Sequence, residues 1–198
     1  MTITIKNIGS QIMRDDIKNQ ILQSALKLAD QQPWEEIALG AIATDAGISM
    51  ADMAIYVRTK GDILSLYGRH IDVQMAKIPL NADMTIREKL FDLLMERFDC
   101  VNQNRYALIS ILESLRHDPL MASCHSVCLL KSMEWVLECA GVSTSGMKGR
   151  ARVAGLTALY IRLIRIWMVD DNPDLSKTMA ALDQGLNRLD SWAQRLRF

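Results

Sequence analysis

The chain has 198 residues, enough for one medium domain or a small head fused to a larger body, and either can bury a core without disulfide or metal staples. Hydrophobic residues make up 49% and charged residues 23%, which excludes an extended disordered chain, and the formal net charge is zero. Residues 1–70 carry seven Lys/Arg against eight Asp/Glu, which excludes a basic arm, so any nucleic-acid role requires local placement of charge.

The N-terminus lacks the basic region and long apolar stretch of a secretory leader, which sets a cytoplasmic expectation. Apolar residues then recur at spacings of three and four with no sustained alternation, the pattern of an all-α chain. A first helix is expected over 14–31, with Ile17, Ile21, Leu22, Ala25 and Leu28 on one stripe. It stops before Pro33, whose ring disfavours a helical predecessor, and Trp34 plugs the small core that follows. A short second helix is expected over 39–45, with Gly47 where the chain needs positive φ. Ser49 and Thr59 each stand three residues before an aspartate, Asp52 and Asp62, the spacing of capping boxes that open the third and fourth helices. Pro79 and the polar loop 81–84 end the fourth, and Thr85 with Glu88 caps a fifth carrying Ile86, Leu90, Phe91, Leu94 and Phe98. A sixth helix is expected over 105–116, and Asp118-Pro119 starts a seventh that ends near Gly141. A long helix over 148–169 follows; Arg162 and Arg165 interrupt its apolar run, so it is a buried helix and no stable membrane insertion is expected. After Asn172-Pro173 a final helix runs to about residue 196.

Several short pieces sit at a specific spacing: Ile21-Leu22 and Ala25-Leu26, Ile42-Ala43, Ala46-Gly47-Ile48-Ser49, then Lys60, Asp62 and Leu64. With these residues the chain resembles the TetR-family transcriptional regulators, best over 14–64 and more loosely over its whole length. The resemblance implies an all-α, TetR-like fold: a helix-turn-helix DNA-binding head over 12–60 and a helical ligand-binding and dimerisation body over 61–198. It further implies a cytoplasmic homodimer that binds palindromic double-stranded DNA and responds to a ligand, expected to be a repressor. The reading surface departs from the family's pattern. Late in the third helix, where the family commonly places a Tyr and a His-Phe pair, this chain has Ala54, Tyr56 and Val57, and Arg58 replaces a frequent Pro. The DNA-contact candidates are Ser49, Met50, Tyr56, Arg58 and Lys60, with Lys60 matching the family's phosphate-gripping lysine. Asp52 is the only charge on the third helix. A second resemblance, to TetR-like lipid-binding proteins of ubiquinone biosynthesis, lies in the stretch IRIWMVDDNPDLSKTMAALDQGLNRL. It implies the alternative of a lipid- or quinone-binding accessory protein that does not bind DNA.

No catalytic grammar is visible: the chain has no Ser/His/Asp arrangement, no P-loop and no glycine-rich dinucleotide turn, so no enzyme and no cofactor are expected. Cys100, Cys124, Cys128 and Cys139 have no disulfide-framework spacing and are read as reduced core filler. Cys124 and Cys128 share a helix face beside His125, but two soft ligands do not make a metal site. Phe91, Leu94, Met95, Phe98, Tyr106, Ile109, Met121, His125 and Trp135 have the apolar, sparsely polar character of a pocket between bundle helices. They are the candidate site for an apolar or amphipathic small molecule. The last two helices carry the expected dimer face: Ile161, Ile164 and Met168 on the first, Met179, Leu182, Leu186 and Leu189 on the second.

Overall fold

Thr85 opens a helix through its own side chain. Its hydroxyl accepts the Glu88 amide at 3.3 Å while the Glu88 carboxylate accepts the Thr85 amide at 2.7 Å, a complete capping box. Thr59 and Asp62 form the same reciprocal pair, at 3.2 and 2.9 Å. Such local chemistry sets the boundaries of an all-helical chain. The structure is a computed structural model that describes residues 2–116 and 118–195, with side chains over 15–116, at 118 and over 125–192. These residues form α1 (Thr2–Gln31), a 3-10 turn (Trp34–Glu36), α2 (Leu39–Asp45), α3 (Met50–Tyr56), α4 (Lys60–Met75), α5 (Ile86–Asn102), α6 (Arg105–Ser114), α7 (Pro119–Cys139), α8 (Gly146–Trp167) and α9 (Ser176–Arg195). Among them there is no strand, and no helix is long and apolar enough to cross a membrane. The first helix begins well before residue 14, where the sequence reading starts it. The Thr/Ile run and Gly9 lower helix propensity there, but no proline interrupts the chain.

Two compact units result, and they differ from a cut at residue 60. The first combines residues 1–68 with 104–125, so α6 belongs with the N-terminal helices; the second combines 69–103 with 126–198. In the first unit α1 buries Ile21, Leu22, Ala25, Leu26 and Ala29, and packs on α2, α3 and α6. Trp34 is buried as expected, and its backbone N–H donates to Ser110 Oγ at 3.1 Å, joining the 3-10 turn to α6. Gly47 has φ +67°, a left-handed turn that a β-carbon would strain, and it releases the chain from α2 into α3.

In the second unit α9 packs on α5 and α8. Leu93, Leu94 and Phe98 of α5, Met133 and Val136 of α7, Leu156, Tyr160, Leu163 and Trp167 of α8, and Leu182 and Leu186 of α9 belong to its core. The approach of α8 to α9 is close at Gly185, where a β-carbon would collide with the Leu159 side chain. Phe98 and Tyr160 rings meet at 5.3 Å, and Trp167 Nε1 donates to Asn102 Oδ1 at 3.2 Å. A charged cluster sits in this apolar setting: Arg97, 3% exposed, donates to Asp72 and lies over the Tyr160 ring, and Ser132 Oγ also donates to Asp72. Burial opposes the Arg97 charge, but Tyr160 and Asp72 outweigh it and hold the guanidinium charged.

The acidic turn after α8 has a structural task. Asp170 is 1% exposed, and its carboxylate accepts the Thr178 amide and hydroxyl, both at 2.8 Å, and the Asn172 side-chain amide at 3.1 Å. Thr178 lies in the first turn of α9, so Asp170 satisfies an otherwise orphaned helix amide from across the turn.

Candidate nucleic-acid interface

Helix α3 is held by its inner face. Met53 and Val57 are buried, while Met50, Ala51, Ala54 and Ile55 point outward and Tyr56 is half-buried. Ser49 caps the helix: its Oγ accepts the Asp52 amide at 3.1 Å and donates to the Asp52 carboxylate at 2.6 Å. The one charged side chain of α3 is therefore turned back onto its own cap, which lessens its opposition to an approaching phosphate. The outward face itself is apolar.

The flanking cations come from different places. Arg58 is exposed, and its Nε donates to the Ala54 carbonyl at 3.3 Å, which holds the guanidinium beside the C-terminus of α3. Its amide and that of Thr59 donate to Asp62, and these bonds, the Arg58 amide first, hold the Asp62 carboxyl below the usual carboxylate range. Lys60, at the first turn of α4, donates to the carbonyls of Trp34 at 2.6 Å and Glu35 at 3.0 Å, and its ammonium lies 5.3 Å from the Trp34 ring centroid. Burial lowers its pKa, against a smaller opposing pull from Glu35. Two of its three N–H groups are thus used inside the unit, which neither a phosphate grip nor a free surface lysine would require. Lys18 of α1 is a cation that sequence spacing did not single out. Its ammonium lies 5.9 Å from the Tyr56 ring centroid and pairs with Asp15, and nothing in the local sequence announces a contact across so many residues.

A short helix, a glycine turn and a second helix with an outward face, braced by a longer first helix, make a helix-turn-helix arrangement. Two solved structures share the architecture. A TetR transcriptional regulator from Nitrosomonas europaea ATCC 19718 superposes with a TM-score of 0.71 at 21% identity, over 88% of this chain and 98% of that one. A TetR transcriptional regulator from Rhodococcus sp. RHA1 does so with a TM-score of 0.64 at 12% identity, over 89% and 97%. The chain has the TetR fold. No protein-family model matches the sequence, and no curated protein does.

In this TetR-like chain the nine residues expected to line a ligand pocket do not gather in one unit. Phe91, Leu94, Met95, Phe98 and Trp135 belong to the second, Tyr106, Ile109 and His125 to the first; the Met121 side chain lies outside the described residues. Leu94 and Phe98 are core, Phe91 and Met95 half-buried, and Trp135 is 48% exposed. Tyr106 is 75% exposed and lines, with Ile109, Asp30, Trp34, Glu35 and Glu113, an open groove of about 490 Å³ within the first unit. His125 is half-buried, its Nε2 has no hydrogen-bond partner among the described residues, and burial pushes its pKa down. Cys124 is outside the described side chains, and Cys100, Cys128 and Cys139 are half-buried and form no disulfide among the described residues.

The expected dimer residues divide by depth. Leu182 and Leu186 are covered within the chain itself; Ile164, Met168 and Leu189 are half-buried; Ile161 and Met179 are about two-fifths exposed, at 39% and 41%. The helical period explains the split on α8, since Leu156, Tyr160, Leu163 and Trp167 occupy the inward stripe and Ile161, Ile164 and Met168 the other.

Proposed function

We propose that the protein is a transcriptional regulator that binds palindromic double-stranded DNA as a homodimer and acts as a repressor released by an apolar or amphipathic small molecule. The observation that carries this reading is α3. It is seated by Met53 and Val57 and capped by Ser49, and it offers Met50, Ala51, Ala54 and Ile55 to solvent inside a fold shared with two TetR transcriptional regulators. Ser49, Met50 and Tyr56 lie at or beside the reading face, and Arg58 and the third N–H of Lys60 supply phosphate contacts. The outer stripe of α8, Ile161 with Ile164 and Met168, joined by Met179 and Leu189 of α9, forms the isologous contact between protomers. Phe91 and Met95, half-buried beside core residues Leu94 and Phe98, are the part of the expected ligand site that an effector reaches with least rearrangement.

One observation favours the second reading, a lipid- or quinone-binding protein with a structural head: the outward face of α3 is apolar and Lys60 is largely engaged internally. Repeated binding and amplification from a random duplex library by the full-length chain separates the two. Enrichment of a two-fold symmetric site supports the regulator. No enrichment, together with co-purified lipid or quinone, supports the alternative.

A further inference from the structure

On the DNA-binding reading, the side chains of α3 decide which bases the protein can tell apart. In the major groove, guanine is read by Arg or Lys and adenine by Asn or Gln, whereas thymine alone offers a methyl group to apolar side chains. Helix α3, MADMAIY, contains none of those four polar readers. Its outward residues follow the spacing i, i+1, i+4, i+5, so Met50, Ala51, Ala54 and Ile55 form one continuous stripe. Met50 is 53% and Ile55 71% exposed, large apolar surfaces left uncovered by the fold. The polar groups at the edges of the stripe are engaged: Ser49 with Asp52, and Arg58 Nε with the Ala54 carbonyl. The open oxygen of Asp52 can accept from a cytosine or adenine amino group and repels the acceptor edge of guanine.

We propose that α3 reads its operator through thymine C5-methyl groups, with Ile55 and Met50 as the specificity-determining side chains. Ala51 and Ala54 between them let the helix backbone approach the base edges closely. Recognition of this kind is hydrophobic and local, and it turns the exposed stripe, otherwise a liability, into the contact surface.

The test replaces thymine by uracil, one position at a time, in the duplex enriched from the random library. This removes the methyl and leaves pairing and hydrogen-bonding edges unchanged. Burial of one methyl corresponds to about a fourfold change in affinity, so two to four positions per half-site should each weaken binding by about that factor. Ile55→Gln, a change at an exposed position, should abolish the uracil effect at the thymine it faces, leave the others, and preserve the circular-dichroism melting curve. Binding that is indifferent to uracil everywhere, or an Ile55→Gln protein with every uracil effect intact, overturns the proposal while leaving DNA binding standing. Failure of every duplex to bind at low salt overturns the DNA-binding reading, and this proposal with it.

Discussion

Arg97 is the residue at which burial and charge conflict most directly. A guanidinium 3% exposed costs several kcal/mol to desolvate, and its Nε has no hydrogen-bond partner among the described residues, so the Asp72 pair and the Tyr160 ring must compensate. Removing one member of such a pair leaves the other charge without its partner. Arg97→Ala should therefore lower stability by about 3 kcal/mol or more, read from urea unfolding, whereas Arg97→Met, which restores packing and avoids a large cavity, should cost less. A loss below about 1 kcal/mol for the alanine variant would show that the pair holds little of the unit together. Lys60 is the parallel case in the head. The resemblance suggests a phosphate grip, and the fold uses the same ammonium to hold the carbonyls that end the 3-10 turn. One side chain can do both, because the ammonium has a third donor.

At the scale of elements, caps were legible in the sequence because their chemistry is local. Thr85 with Glu88 and Thr59 with Asp62 are three residues apart, and both form the expected reciprocal bonds. On α8 the helical period sets Ile161, Ile164 and Met168 apart from the stripe that the fold buries, Leu156, Tyr160, Leu163 and Trp167. What escaped was chemistry closed by tertiary contact: Arg97 with Asp72 is separated by 25 residues, Lys60 with Trp34 by 26 and Ser132 with Asp72 by 60. No periodicity encodes such pairs, so Arg97 reads as a solvated charge on an amphipathic helix, and the assignment of α6 to the first unit is equally hidden. The apolar character of α3 and the pairing of Ser49 with Asp52 were visible; that the Asp52 carboxylate accepts from the Ser49 hydroxyl was not.

The acidic turn before α9 gives the element a pH dependence. Burial alone raises the pKa of Asp170, but the Thr178 amide and hydroxyl, with Asn172, outweigh it and hold the carboxyl below its ordinary value. A carboxylate depressed in the folded state stabilises the fold above the unfolded pKa, about 3.9, and that stabilisation disappears as pH falls through the folded value. Thermal melts from neutral pH down to below about pH 3 should show the wild type losing stability along this course, with a smaller decrease in Asp170→Asn. Identical pH profiles for the two proteins would contradict a charged cap at α9.

At the scale of the molecule, the two-fold symmetry of the proposed site requires a two-fold protein. Ile161 lies on the outer stripe of α8, 39% exposed, so Ile161→Glu should leave the monomer folded and shift light scattering from dimer to monomer at micromolar concentration. A wild-type chain already monomeric there would remove the symmetric contact. The central claim, a working DNA head with few cationic contacts, is tested most directly by the salt dependence of binding to the enriched duplex. With Arg58 and Lys60 as the phosphate contacts of each head, four in the dimer, log K should fall against log salt with a slope of roughly −3 to −4. Absence of binding to both enriched and random duplexes at low salt would contradict it.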